Sequence, residues 1–211
     1  KALLRFLGFN NFDPAAEPLY RAAVLEGRRE LYYVDWPESA LVPDTVDGRF
    51  DMISLMAALI NRRIGLVDRA HTEHAKTLAQ DLFDVMFADM DTNLRELGVS
   101  DEGMKHKIKP MASAHLGRVK AYTDCLFEAE EEGRLKCLAD AFDRNIYRAV
   151  ENADPMPLAR RAIALAAQLE AVSDEDILKG RFKFSDAAQH NSNPYPLPPN
   201  RHTQHFPTST T

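Results

Sequence analysis

The chain has 211 residues, of which 26 are basic and 32 acidic, for a net charge of −6. Apolar residues make up 45%, enough to bury one core, and nine Gly and twelve Pro exclude a fibrous repeat. The acidic balance excludes a strongly basic nucleic-acid binder and argues against specific DNA binding.

Cys125 and Cys137 lie twelve positions apart. That spacing is neither a disulfide framework nor a paired zinc motif, and it predicts two reduced thiols in a cytosol-like compartment. The longest uncharged stretch of the body, residues 52–61, is about half of the roughly 20 residues a membrane span needs. No secretory signal is visible, and the chain opens on Lys1 rather than Met, so a removed targeting segment would leave no trace.

Residues 1–13 form an N-terminal arm in which Leu3, Leu4, Phe6, Leu7 and Phe9 alternate with Lys1 and Arg5. One short turn of this kind binds a bilayer weakly, so packing on the domain is the better reading. Residues 14–27 read as a first helix, with Pro14 at its start and Gly27 at its stop. Residues 28–46 are a long loop holding Tyr32, Tyr33 and Trp36, and a loop of that length must be tied down by its aromatics or serve function.

Residues 47–65 read as a second helix, apolar nearly all round, which belongs at the centre of a bundle; Asp47 is the expected N-cap. A third helix spans residues 68–97, with Leu78, Leu82, Met86, Met90 and Leu94 at helical spacing. Ser100 caps a fourth, which Pro110 is expected to kink or split near Lys109. A fifth follows Gly133, a sixth follows Asp154-Pro155 to about Val172, and residues 173–180 add a short turn. Residues 181–185, RFKFS, are the one stretch of period two. The fold class is all-α: a single-domain bundle of about six helices over residues 14–185. Residues 186–211 form an irregular Pro-rich tail that cannot bury a core.

The chemistry-bearing patterns are few. There is no Walker A loop, no GxGxxG, no GxSxG and no Glu-x-x-His pair. His71 and His74 share a helix face beside Glu73 but lack a third ligand. Asp89, Asp91 and Asn93 open like a calcium loop, yet Leu94 and Ser100 stand where Gly and Glu are needed. His115 falls on an apolar stripe and reads as a hydrogen-bonded core histidine. Cys125 has acidic neighbours, which is wrong for a nucleophile. One charge pattern stands out: Lys105, Lys107, Lys109, Arg118 and Lys120 form a basic patch before the acidic stretch at residues 124–132. It suits lipid head groups or RNA phosphates, or else an ordinary solvated face.

Two segments go further: VPDTVDGRFDMI at residues 42–53 and LFDVMFADMDTNLRELGV at residues 82–99. With PLYR at residues 18–21, they resemble the ubiquinol–cytochrome c chaperone family, in wording closer to its bacterial branch. The resemblance implies a non-enzymatic assembly factor for respiratory complex III that binds newly made cytochrome b. It also implies a small helical partner, work near the ribosome exit, and no cofactor. The implied place is the bacterial cytoplasm at the inner membrane, or the matrix face in mitochondria. The alternative is a structural subunit of a larger respiratory assembly that reuses the fold.

Within those segments Asp44, Asp47, Arg49 and Asp51 surround the start of the second helix, where carboxylates suit the helix dipole and Arg49 can pair with one of them. Asp89, Asp91 and Arg95 are polar positions beside core residues, and Asp91 and Arg95 can pair across one turn. These seven are the candidate client-binding residues. The methionines are adaptable side chains for varied clients or simple core fillers; Met52 and Met90 read as core, with Met104 and Met111 open to either role.

Overall fold

The computed structural model describes residues 12–34 and 40–185. The N-terminal arm, Trp36 and the Pro-rich tail therefore lie outside the described residues. Seven α-helices are present among them, and no strand: α1 (Ala16–Gly27), α2 (Val46–Gly65), α3 (Thr72–Glu96), α4 (Asp101–Leu126), α5 (Glu131–Asn145), α6 (Met156–Glu170) and the short α7 (Asp174–Leu178). The all-α reading holds.

The central helix is α2, with fourteen of its twenty residues buried. It packs against α1, α3, α4, α6 and α7. Its core side chains Met52, Leu55, Met56, Leu59 and Ile60 face neighbours on every side, as an all-round apolar helix must. Two ring pairs set the register. Phe50 on α2 meets Phe87 on α3 edge-on at 6.5 Å, and Phe83 on α3 meets His115 on α4 at 6.0 Å. Successive helices thus run up and down, and α4 returns parallel to α2. Tyr122 against Phe142, at 5.1 Å, continues the alternation into α5.

Arg63 fastens the far end. Its guanidinium donates to the Leu169 and Val172 carbonyls and to Asp174 Oδ1, at 3.1, 2.6 and 2.6 Å, so one α2 side chain ties the end of α6 to the start of α7. Asp174 is held below the usual carboxylate range by the Asp68 backbone amide and by Arg63.

Several boundaries differ from expectation. Thr45, not Asp47, caps α2: its hydroxyl accepts from Gly48 N at 3.0 Å. The helix begins one residue earlier, which puts Asp47 in the first turn, where its charge still faces the dipole. Pro110 does not split α4, which runs on as one helix. Proline removes one backbone donor there, but the turns on either side are held by Ile108, Met111 and His115 packing inward. RFKFS is not a strand; Gln168 bonds both backbone groups of Ser185 and ties the segment to α6. The long loop is tied down by aromatics as expected. Tyr32 is fully buried and donates to Glu26, and Tyr33 donates to the Gly27 carbonyl.

The cysteine expectation is overturned. Cys125 and Cys137 form a disulfide, with Cα atoms 5.3 Å apart. The tight α4–α5 turn folds α5 back along α4 and sets the two positions face to face. A spacing of twelve carries no information about that turn.

Candidate functional site

Two places gather the chemistry-bearing residues. The first is the end of the bundle where α2 starts. Backbone bonds hold the loop before it: Val42 N donates to the Tyr32 carbonyl at 2.8 Å, and the Tyr147 hydroxyl donates to the Ala40 carbonyl. Gly48 is required here, because a Cβ on it would sit 2.0 Å from the Pro43 carbonyl oxygen.

Asp44 and Arg49 form a two-pronged pair on the surface, at 2.6 and 3.0 Å. Asp51 is different. It is 1% exposed and lies between two arginines, with Arg118 Nη2 2.8 Å from Oδ1 and Arg148 Nη1 2.6 Å from Oδ2. Burial raises its carboxyl even so, since desolvation outweighs both cations. Asp47 stands 3.6 Å from Arg148 at the mouth of this cluster. The Nε and Nη1 atoms of Arg118 and the Tyr122 hydroxyl have no hydrogen-bond partner among the described residues.

Apolar side chains stand in the open at the same end: Val46 is 58% exposed, Leu41 52% and Val150 36%. Leu41 also holds a left-handed backbone, with φ 45°, which a branched side chain rarely adopts. A strained apolar residue facing solvent is a common mark of a contact surface.

The second place is an open cleft of about 430 Å³ between α1 and α3. Tyr20, Arg21, Val24 and Arg28 form its α1 wall, and Val85, Asp89 and Asn93 the facing wall. The Tyr20 hydroxyl donates to Asp89 Oδ2 at 2.6 Å, and Asn93 donates to the same oxygen at 2.9 Å. Burial and the Asp89 carboxylate together push the Tyr20 hydroxyl far above its ordinary pKa, so it stays a donor. The PLYR segment and the FADMDTN stretch, far apart in sequence, meet at this cleft.

The predicted residues thus divide. Asp44, Asp47 and Arg49 are at the surface of the first place, and Asp89 lines the second. Asp91 and Arg95 pair at 2.6 Å, with Asp101 a further partner, at the exposed α3–α4 tip beyond the start of α2. Asp51 cannot touch a client, because it is buried beneath its arginines. Arg118 likewise leaves the basic patch. Its side chain is 8% exposed and committed to Asp51, since α4 turns that position inward. Lys107 and Lys109 are exposed, Lys120 pairs with Asp124, and nothing is described of the Lys105 side chain. Met52, Met90 and Met104 are buried, and Met111 is partly buried. His115 is a core histidine bonded to Ser54 Oγ at 2.7 Å. Arg148, Arg21 and Arg28 escaped sequence reading. Nothing local marks Arg148, whose partner stands 97 residues away. Arg21 lies inside PLYR and was legible as part of that segment alone.

Among the described residues no trio of His, Cys, Asp or Glu is placed to hold a metal. His74 Nε2 lies instead 2.7 Å from Asp13 Oδ2.

Residues 38–184 match the family described as Ubiquinol-cytochrome C chaperone. The chain belongs to the ubiquinol–cytochrome c chaperone family. The match takes in both long segments, while PLYR precedes it. The fold is similar to a solved structure titled the Cbp3 homolog from Brucella abortus, at 29% identity and a TM-score of 0.68. The likeness covers 89% of this chain and 97% of that one. No curated protein matches at a significant level. As a member of the chaperone family, the chain is an assembly factor and not an enzyme. No described helix is long and apolar enough to cross a membrane.

Proposed function

We propose that this chaperone-family member assists assembly of the cytochrome bc complex by holding newly made cytochrome b at the membrane surface. The observation that carries the reading is the open apolar corner at Leu41, Val46 and Val150, set inside the family-matched region. A membrane-protein client offers apolar segments whose ends carry charged loops. The corner offers exposed apolar side chains beside the Asp44–Arg49 and Asp47–Arg148 pairs, so both parts of such a client find a counterpart. Client contact falls to Asp44, Asp47 and Arg49, while Asp51 acts from below by fixing Arg148. A ribosome contact and a small helical partner belong to the same reading.

A photo-crosslinker at Val46 in the native cell tests it, with one at Lys136, exposed on α5, as the control. Cross-linking to cytochrome b from Val46 but not from Lys136 is expected. Deleting the gene should lower cytochrome b and assembled complex III, and unchanged levels of both would sink the proposal.

A further inference from the structure

Phe127, just past the end of α4, is 61% exposed. The Arg62 guanidinium lies over its ring at 5.1 Å. Leu66, 41% exposed, stands one turn after Arg62 at the end of α2, so the two apolar side chains flank the same arginine. Carboxylates rim this patch. Glu128, Glu130, Glu131 and Glu132 are all exposed, and among the described residues none forms an ion pair. The dipole of α5 accounts for Glu131 and Glu132, in its first turn. It does not account for Glu128, which precedes the helix and stands beside Gly133, or for Glu130, whose side chain makes no capping bond. The neighbouring cations are committed elsewhere. Arg62 pairs with Glu170 and is 8% exposed, Arg134 donates to the Glu128 and Ala129 carbonyls, and Lys120 and Lys136 pair with Asp124 and Asp140. The Cys125–Cys137 disulfide closes the chain around the whole turn, so Phe127 and the glutamates are held in place before anything binds.

We infer that the α4–α5 turn docks a basic segment of a partner protein, one that carries an apolar side chain between Lys or Arg residues. Phe127 and Leu66 take the apolar side chain, and the unpaired glutamates take the cations on either side of it. Charge decides the class of partner. The same carboxylates repel phosphate-bearing surfaces, lipid or nucleic acid, and among the described residues no trio is placed to hold a metal. The twenty residues of α2 put about 30 Å between this patch and the corner at Val46, so both surfaces can be occupied at once. The inference therefore goes beyond the client reading: a basic segment docks here whichever membrane protein the corner holds.

The test uses the full chain and a fluorescein-labelled peptide with two Arg on each side of a central Leu. One control peptide has Glu in place of every Arg, and another has Ser in place of Leu. Anisotropy should show binding of the Arg–Leu peptide, binding about tenfold weaker with Ser, and none of the Glu peptide. E128K/E130K should weaken the Arg–Leu peptide by about tenfold and transfer binding to the Glu peptide, an outcome that misfolding cannot mimic. E96K/E151K changes the net charge equally at exposed positions outside the patch and should leave binding unchanged. Phe127→Ser should remove the preference for Leu over Ser. Equal loss in the two charge variants would mean attraction to overall charge alone and overturn the inference. So would no binding, no transfer, or a preference for Leu that survives Phe127→Ser. Dimerisation seen by light scattering and lost in E128K/E130K would make the occupant a second copy, through its exposed Lys107 and Lys109, and overturn it equally.

Discussion

Arg118 and Asp51 stand 2.8 Å apart with both side chains more than nine-tenths buried, and Arg148 reaches the other carboxylate oxygen at 2.6 Å. Three helix-borne or helix-flanking residues thus meet around one charge. Asp51→Ala leaves Arg118 as an uncompensated buried cation and is expected to cost about 3–5 kcal/mol in chemical denaturation. Asp51→Asn keeps the side-chain volume and an acceptor oxygen for one of the two arginines, and should cost less than Asp51→Ala. The carboxyl is raised in the fold, so the folded protein binds that proton more readily than the unfolded chain. Its contribution is therefore present below the ordinary carboxylate pKa and lost as pH rises through the folded pKa. An Asp51→Asn variant more damaging than Asp51→Ala would contradict this account.

His115 titrates in the opposite sense. Burial, with Arg118 close by, lowers it to about 4. A lowered histidine gives stability that is present above the ordinary histidine pKa and lost as pH falls toward the folded value. The loss on reaching pH 4 amounts to about 3 kcal/mol. Stability measured at pH 7 and at pH 4.5 should converge in His115→Gln relative to the parent. An equal drop in both proteins would place the acid sensitivity elsewhere.

The Cys125–Cys137 disulfide closes a short loop between α4 and α5. Reduction is expected to lower stability by about 3 kcal/mol through the freed unfolded chain. Cys125→Ser/Cys137→Ser should match the reduced parent and show no response to dithiothreitol. Thiol titration of the unfolded, unreduced protein checks the bond directly, since two free thiols would mean the bond does not form.

Gly48→Ala places a Cβ against the Pro43 carbonyl, where the neighbour is backbone and cannot swing away. The loop that carries Leu41 and Asp44 must shift. The expected cost is about 2 kcal/mol or more, with weaker client cross-linking from Val46. Gly65→Ala is the contrast, as a Cβ there meets nothing within 4 Å. That variant should be nearly neutral, and equal costs at the two glycines would rule out the close approach as the cause.

Helix positions were legible because each core stripe is local: Leu78, Leu82, Met86, Met90 and Leu94 repeat along one helix and are buried together. The crowded apolar surface of α2 likewise announced a central helix. The helix cap was missed by two residues because Thr45 and Asp47 are both good acceptors, and only the folded backbone sets the Thr45 hydroxyl against Gly48 N. Asp44–Arg49 and Asp91–Arg95 were readable as pairs because they lie within a turn or so of each other.

Composition, period and two short segments settled by themselves that this is an all-α bundle without a catalytic motif, and to which family it belongs. Those properties follow from neighbours within a few turns, which the order of residues records directly. The tertiary structure alone decided that Arg118 is buried, that Asp51 is shared with Arg148, that the cysteines are joined, and that Arg21 and Arg28 face a cleft. Each depends on the register between helices, which is set by how whole faces of side chains pack, and no stretch of sequence carries that register in isolation.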